Sequence, residues 1–425
     1  MQTSNTISME VKTRKILSIE AIRGFAALYV MLGHIVLILH PFIFFPASKF
    51  LVKTIFGYGH QAVILFFIVS GFSIHYSSVN SDLSNSKEIK DYYYKRFRRI
   101  YPLLFISLIF SLIVLWITGI ESGWLRNILS FFMVTDISSG SIADPIATNF
   151  PIWSLSYEVI YYLLYPLVVL GIKNYGIRKV FAYSFILSAV ASIFTIAGWN
   201  NHLSNVLQMY WIWLAGAYMG ELMLSRQKIT IKYFKGWLIM SVALMFTLEK
   251  ALFFTDWFWA IFFSLLMFTV FFPAINKPKL SDRLIEGCIS FIAVSVCFFI
   301  TYIPSIVYHT ALVRIILLCI SFSIFILYFL KVEQMKQALR KLINPFVRTG
   351  GFSYAVYILH WPILVLFSTL FKEYYQESFG FLLCFIILYI CIVITSSWAA
   401  EIKLQPLVAK IMNRHYYSKR KNGMQ

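Results

Sequence analysis

The sequence predicts an all-α fold, a polytopic membrane helix bundle of ten to twelve transmembrane helices. Three observations predict it. Of the 425 residues, 60% are hydrophobic and only 13% are charged, whereas a soluble globular chain carries about 25% charged residues. The apolar residues gather into runs of roughly 18–22 residues, the length a helix needs to cross about 30 Å of hydrocarbon. The net charge of +19 comes from short clusters of lysine and arginine lying mostly between alternate apolar runs. That is the pattern of positive-inside topology rather than of a nucleic-acid surface.

Residues 1–18 read as a cytosolic tail, 19–400 as the transmembrane domain and 401–425 as a second, basic cytosolic tail. The first apolar run, 21–39, is too long for a cleaved signal peptide, and no A-x-A site follows it. It carries Arg23 at its start and His34 well inside. They are eleven positions apart, so they share a helix face about 16 Å apart. Ionisable groups inside membrane helices are costly and are functional candidates by default. Arg23 equally fits a snorkelling anchor, and His34 a histidine bonded to a neighbouring helix.

Residues 41–56 form an external loop, and the second span, 57–76, contains Phe66-Phe67-Ile68-Val69-Ser70-Gly71-Phe72. The small pair Ser70-Gly71 lets two helices approach closely. Residues 78–99 read as a polar loop ending in Tyr94-Lys95-Arg96-Phe97-Arg98-Arg99. Such a cluster serves topology and lipid anchoring, and its arginine forks also suit phosphate oxygens. A third span, 101–118, leads to an external segment, 119–152, whose 124–134 portion lies on the membrane surface. Next come Trp153-Ser154-Leu155-Ser156-Tyr157-Glu158 and, eight residues on, Pro166. Glu158 enters the membrane about one and a half turns into its helix. It fits either a chemical role or a bridge between helices.

The remaining runs are 180–198, 204–224, 237–254, 257–274, 284–303, 311–330, 352–371 and 379–400. Their even number keeps both termini on one side. External loops would hold only Lys49, Lys53, Arg126 and Lys372, which places the termini in the cytosol. In the run 352–371, Ser353, Tyr357 and His360 recur at helical spacing and share a face. The five cysteines all lie in apolar runs, with neither metal-ligand spacing nor a disulfide framework.

Five of these segments carry a family resemblance. Arg23-x10-His34 resembles the Arg-x10-His signature of the membrane acyltransferase 3 family. Phe66–Phe72 resembles that family's FFVLSGF segment, and Arg96-x-x-Arg99 before Tyr101-Pro102 is similar to its RxxR motif. Trp153–Pro166 resembles WSLxxE…FYLLYP, and Ser353–Pro362 resembles SYxxYLxHxP. One departure stands out. Many members have a second carboxylate or a glutamine after the glutamate, where this chain has Val159-Ile160. Work assigned to an acidic pair does not carry over.

The resemblance implies an integral-membrane O-acyltransferase of the cell (inner) membrane. It would move an acetyl group from cytosolic acetyl-CoA, or another acyl-CoA, to a hydroxyl of a cell-surface glycan or lipid-linked precursor. His34 and Glu158 are the expected catalytic groups, both in the outer half of the bilayer by residue counting. Histidine is the natural base near neutral pH. Arg23, Arg96 and Arg99, at the inner face, are expected to hold the donor phosphates. Ser70, Trp153, Tyr357 and His360 are expected to position substrates. The expected partners are the lipid bilayer and the glycan acceptor, with no metal and no nucleic acid. A transporter or flippase using the same intramembrane groups is the alternative, and a membrane scaffold is a third reading.

Overall fold

A computed structural model describes residues 2–39, 56–78, 81–136, 144–199, 201–225, 255–271 and 332–422. Among these residues there are helices and short connections, and no strand. In chain order the longer helices are α1 (Gln2–Leu39), α2 (Gly59–Ser78), α3 (Ser86–Thr118), α4 (Trp124–Phe131), α5 (Trp153–Tyr175) and α6 (Ile177–Ile196). They continue with α7 (His202–Gln208), α8 (Tyr210–Leu224), α9 (Thr255–Phe271), α10 (Val332–Ile343), α11 (Ser353–Leu370), α12 (Phe379–Trp398) and α13 (Gln405–Asn422). Seven stretches among the described residues are long and apolar enough to cross a membrane. The runs 237–254, 284–303 and 311–330 lie outside the described residues. So do loop residues 41–55, the basic segments 226–235 and 277–283, and Cys288, Cys297 and Cys319.

The structure refines several expectations. The polar loop expected at 78–99 is mostly helix, because α3 starts at Ser86. Asn85 caps it by accepting from the Lys87 amide, and Glu88 lies in the first turn, where a negative charge favours the helix dipole. The 33-residue helix is about 50 Å long. It outruns the hydrocarbon by several turns, and those turns carry the arginines. α1 runs unbroken through 18/19, and a π-helical segment, Ala399–Leu404, joins α12 to α13 across 400/401; neither helix bears on the tail boundaries expected there. The run 204–224 breaks at Met209, whose φ of −97° and ψ of 0° leave the helical region. The resulting pieces of 7 and 15 residues are each shorter than the roughly 20 needed to span.

The chain forms two compact units. The larger comprises Ile19–Val63, Ser77–Trp213 and Phe346–Gln425. Its outward faces are apolar, with Phe105, Ile109, Ile113 and Trp116 on α3 and Ile186, Val190 and Ile193 on α6 exposed. A water-soluble surface does not carry such contiguous bands. Inside this unit, α1 meets the Phe346–Gly350 backbone without spacer side chains. A Cβ on Gly24 would lie 2.2 Å from the Phe346 carbonyl oxygen, and one on Gly350 2.0 Å from that of Glu20. Only glycine permits that approach.

Three α-helices of the larger unit carry a proline beyond their first turns: Pro102 in α3, Pro166 in α5 and Pro362 in α11. Proline lacks an N–H, so the carbonyl four residues earlier loses its helical partner. Where that carbonyl lies in hydrocarbon, no water is at hand to replace it. In each case another segment supplies the donor. Gln405 Nε2 donates to Arg98 O at 2.7 Å, and Tyr92 OH donates to Tyr162 O at 3.2 Å. Ser107 Oγ at 2.6 Å and Asn149 Nδ2 at 3.1 Å both donate to Ile358 O. Asn149 sits in a buried 3-10 segment, Ala147–Ile152, at a non-helical φ of −148°. That break aims its amide sideways into α3 and α11.

The smaller unit comprises Met1–Ser18, Ile64–Tyr76 and Leu214–Pro345. Within it, Gly216 of α8 lies against α2 so closely that a Cβ would fall 1.8 Å from Ile68 O. Further along the same two helices, His75 Nε2 meets Glu221 Oε2 at 2.8 Å.

Candidate active site

Within the larger unit, α1, α5 and α11 bring together side chains from chain positions far apart. His34 projects from α1 toward His360 of α11, and His34 Nδ1 lies 2.7 Å from His360 Nε2. The two ring planes differ by 2° with centroids 5.0 Å apart. With nitrogens this close, the rings meet edge to edge in one plane, as an N–H···N bond requires, rather than stacking face on face. His360 is wholly buried, at 0% exposure, whereas His34 is half-buried. The edge of the pair is closed by Trp361, whose ring is nearly perpendicular to that of His34 at 4.7 Å.

His360 is held on two further sides. Its Nδ1 lies 2.7 Å from the Tyr357 carbonyl oxygen and 3.1 Å from that of Val356. The buried Tyr389 of α12 donates its hydroxyl to the His360 carbonyl at 2.9 Å. One turn before His360, the buried Tyr357 donates to the Pro151 carbonyl at 2.6 Å. A hydroxyl has one proton to give, so the 2.6 Å bond to Ser154 Oγ must be donated by the serine. Ser154 thereby ties α5 to the histidine pair.

Glu158 lies one turn below Ser154 on α5. It is half-buried and accepts the Tyr162 hydroxyl at 2.6 Å. Trp153 is buried against His60, with centroids 5.6 Å apart and planes at 15°. At the loop end of α5, the wholly buried Asp136 accepts from the Tyr157 hydroxyl, and from Asn205 Nδ2 at 2.8 Å. This anchors the entry of the helix.

The three arginines expected to hold a donor have different surroundings. Arg23 bonds Glu20 one turn earlier on α1, at 3.1 Å. Arg96 lies over the Tyr92 ring, 5.4 Å from its centroid, and among the described residues its buried Nε has no hydrogen-bond partner. Arg99 is ion-paired with Glu401. The Glu401 side chain is only 2% exposed, and its second oxygen accepts the Ala355 amide at 2.8 Å, in the first turn of α11. Ser70 is half-buried on α2 and belongs to the smaller unit.

Of the residues singled out from sequence, the fold thus brings His34, His360 and Tyr357 into one hydrogen-bonded group, with Trp153 and Glu158 on the adjoining helix. Sequence reasoning passed over Ser154, Trp361, Tyr389 and Glu401. Ser154 and Trp361 stood inside quoted motifs without a role. Glu401 had a readable signal, a lone carboxylate directly after an apolar run. Among the described residues, no group of three His, Cys, Asp or Glu side chains is placed to hold a metal ion.

No curated protein and no solved structure matches the chain. The family described as an acyltransferase domain, acyltransferase 3, matches residues 16–400. That span takes in α1, α5 and α11 and nearly the whole sequence, so the chain belongs to the acyltransferase 3 family.

Proposed function

We propose that the protein is an integral-membrane O-acyltransferase that moves an acetyl group from cytosolic acetyl-CoA to a hydroxyl of a cell-surface glycan or its lipid-linked precursor. The observation that carries this reading is the His34–His360 pair, linked through α11 to Tyr357 and Ser154. An imidazole held in a dry, ordered setting is suited to removing a hydroxyl proton. His34 Nε2 is the base. The acceptor oxygen attacks the thioester carbonyl as its proton passes to His34. The C–S bond then breaks, and the proton leaves with the coenzyme A thiolate as a thiol.

Glu158 binds or orients the acceptor hydroxyls, and Trp153 and Tyr357 line their approach. Ser70 is retained as a positioning residue on its motif alone. Arg23, Arg96 and Arg99 bind the donor phosphates, which arginine forks suit. Both termini are assigned to the cytosol and the protein to the cell membrane, on the charge bias of the loops.

The test is thiol release from acetyl-CoA by the purified full chain, with and without a hydroxylated sugar acceptor. His34→Ala is expected to lower turnover per folded molecule by about 10²–10⁴-fold, the usual cost of losing a general base. A folded His34→Ala protein with near-normal turnover would remove His34 from the mechanism. Failure of the intact protein to release thiol from any acyl-CoA would favour the transporter or flippase reading.

A further inference from the structure

We infer that His360 is a positioning residue that fixes the tautomer of His34, leaving His34 Nε2 as the bare, proton-accepting nitrogen. The inference rests on His34 being the base of the transfer reaction. Its geometry stands apart from that reading.

The hydrogen-bond partners dictate the protons. His360 Nδ1 faces two backbone carbonyls, at 2.7 and 3.1 Å. Carbonyl oxygens only accept, so Nδ1 carries a proton. A neutral imidazole has one N–H, so His360 Nε2 is a lone pair. That lone pair lies 2.7 Å from His34 Nδ1, which must therefore be the donor. His34 then has its proton on Nδ1 and none on Nε2. Among the described residues, no hydrogen bond is made by His34 Nε2, which is left free for an incoming hydroxyl.

The opposite arrangement disables the site. With protons on both His360 nitrogens, Nε2 would donate to His34 Nδ1, and neutral His34 would then carry its proton on Nε2. The working state is the doubly neutral pair. When His34 takes up a proton, its Nδ1–H bond to His360 becomes charge-assisted and stronger. His360 thus does for His34 what the buried aspartate does in a Ser-His-Asp triad, orienting the ring and favouring the imidazolium. It does so as a neutral acceptor, a cheaper group to bury in a membrane than a carboxylate. Its own orientation comes from the backbone of α11 and from Tyr389.

The test is the ¹⁵N spectrum of the histidine-labelled full chain in detergent, with the His34 signals assigned by their loss in His34→Gln. The expected result for the unmodified protein is a protonated Nδ1 and a bare Nε2 on His34. A protonated Nε2 on neutral His34 overturns the proposal. The spectrum needs no donor or acceptor, so it decides the point even if no acyl transfer is found. Its failure is therefore distinguishable from failure of the reaction. In turnover, His360→Leu is expected to lower kcat by at least about 10²-fold with donor and acceptor KM unchanged, and to move His34 toward the Nε2–H form. His360→Gln can donate to the Tyr357 carbonyl while accepting from His34, and it is expected to restore both readouts in large part. A folded His360→Leu protein with normal kcat and an unmoved His34 spectrum overturns the proposal. Should that variant not fold, the spectrum of the unmodified protein still decides.

Discussion

Arg96 and Arg99 sit three residues apart on α3, yet removing them should have different consequences. Arg99 pairs with Glu401, whose side chain is 2% exposed, while its own side chain is 40% exposed. Losing Arg99 leaves a buried carboxylate that, among the described residues, keeps the Ala355 amide alone as partner. An unsatisfied buried polar group costs about 1–3 kcal/mol, so Arg99→Ala should lower the thermal midpoint in detergent as well as any donor affinity. Arg96 rests on the Tyr92 ring and, among the described residues, its Nε is unbonded and it pairs with no carboxylate. Arg96→Ala should leave the midpoint nearly unchanged and weaken acyl-CoA binding roughly tenfold, since a hydrogen bond to a charged group is worth about 1.5–3 kcal/mol. Unfolding scans paired with donor titrations separate the two effects. Equal donor affinity in Arg96→Ala and the unmodified protein would leave Arg96 as a topology and lipid-anchoring signal.

At the scale of helices, the in-helix prolines show why the motifs are longer than the chemistry requires. Tyr101-Pro102, Tyr165-Pro166 and Trp361-Pro362 each free a carbonyl that a distant side chain fills. For Pro102 and Gln405 this gives a testable coupling. Gln405→Leu should destabilise the protein by about 0.6–1 kcal/mol, the range of hydrogen bonds between membrane helices. In a Pro102→Ala background the Arg98 carbonyl regains a backbone N–H, and the same substitution should cost close to nothing. A double-mutant cycle on unfolding free energies measures the difference; strict additivity would mean that Gln405 does not serve the orphan carbonyl.

The first helix, with its Arg23 and His34, was legible in the sequence because an apolar run with two ionisable groups at helical spacing admits few readings. The membrane class was legible from composition alone. Other features were hidden for physical reasons. The start of α3 at Ser86 was obscured because polar residues favour loop and helix alike until a cap such as Asn85 is recognised. The break at Met209 lies within an apolar run, where hydropathy does not register backbone dihedrals. The His34–His360 bond joins residues 326 positions apart, and no local pattern encodes such a pairing.

For the larger unit as a whole, side-to-side order follows from contacts at the ends of α3. Its first turns hold α13: Tyr94 stacks on Tyr416 at 3.7 Å, Tyr416 donates to Asp91 at 3.0 Å, and Arg98 bonds Asn413. The C-terminal helix must therefore lie on the same side of the membrane as Ser86. The other end of α3 is Thr118, capped by Gly119 at a left-handed φ of 66°. At about 50 Å, the helix is long enough to reach fully across. On the topology proposed above, the cluster Lys95, Arg96, Arg98 and Arg99 marks the cytosolic end, because basic residues are enriched there. Single cysteines at Ser86, Ser418 and Glu121, in a background without native cysteines, test this with a membrane-impermeant maleimide. Glu121 is expected to label in intact cells, and Ser86 and Ser418 only after permeabilisation. Labelling of Ser86 or Ser418 from outside would invert the assignment. The arginines proposed to bind a cytosolic donor would then face the wrong compartment, and the donor site would have to be sought at the opposite end of the same helices.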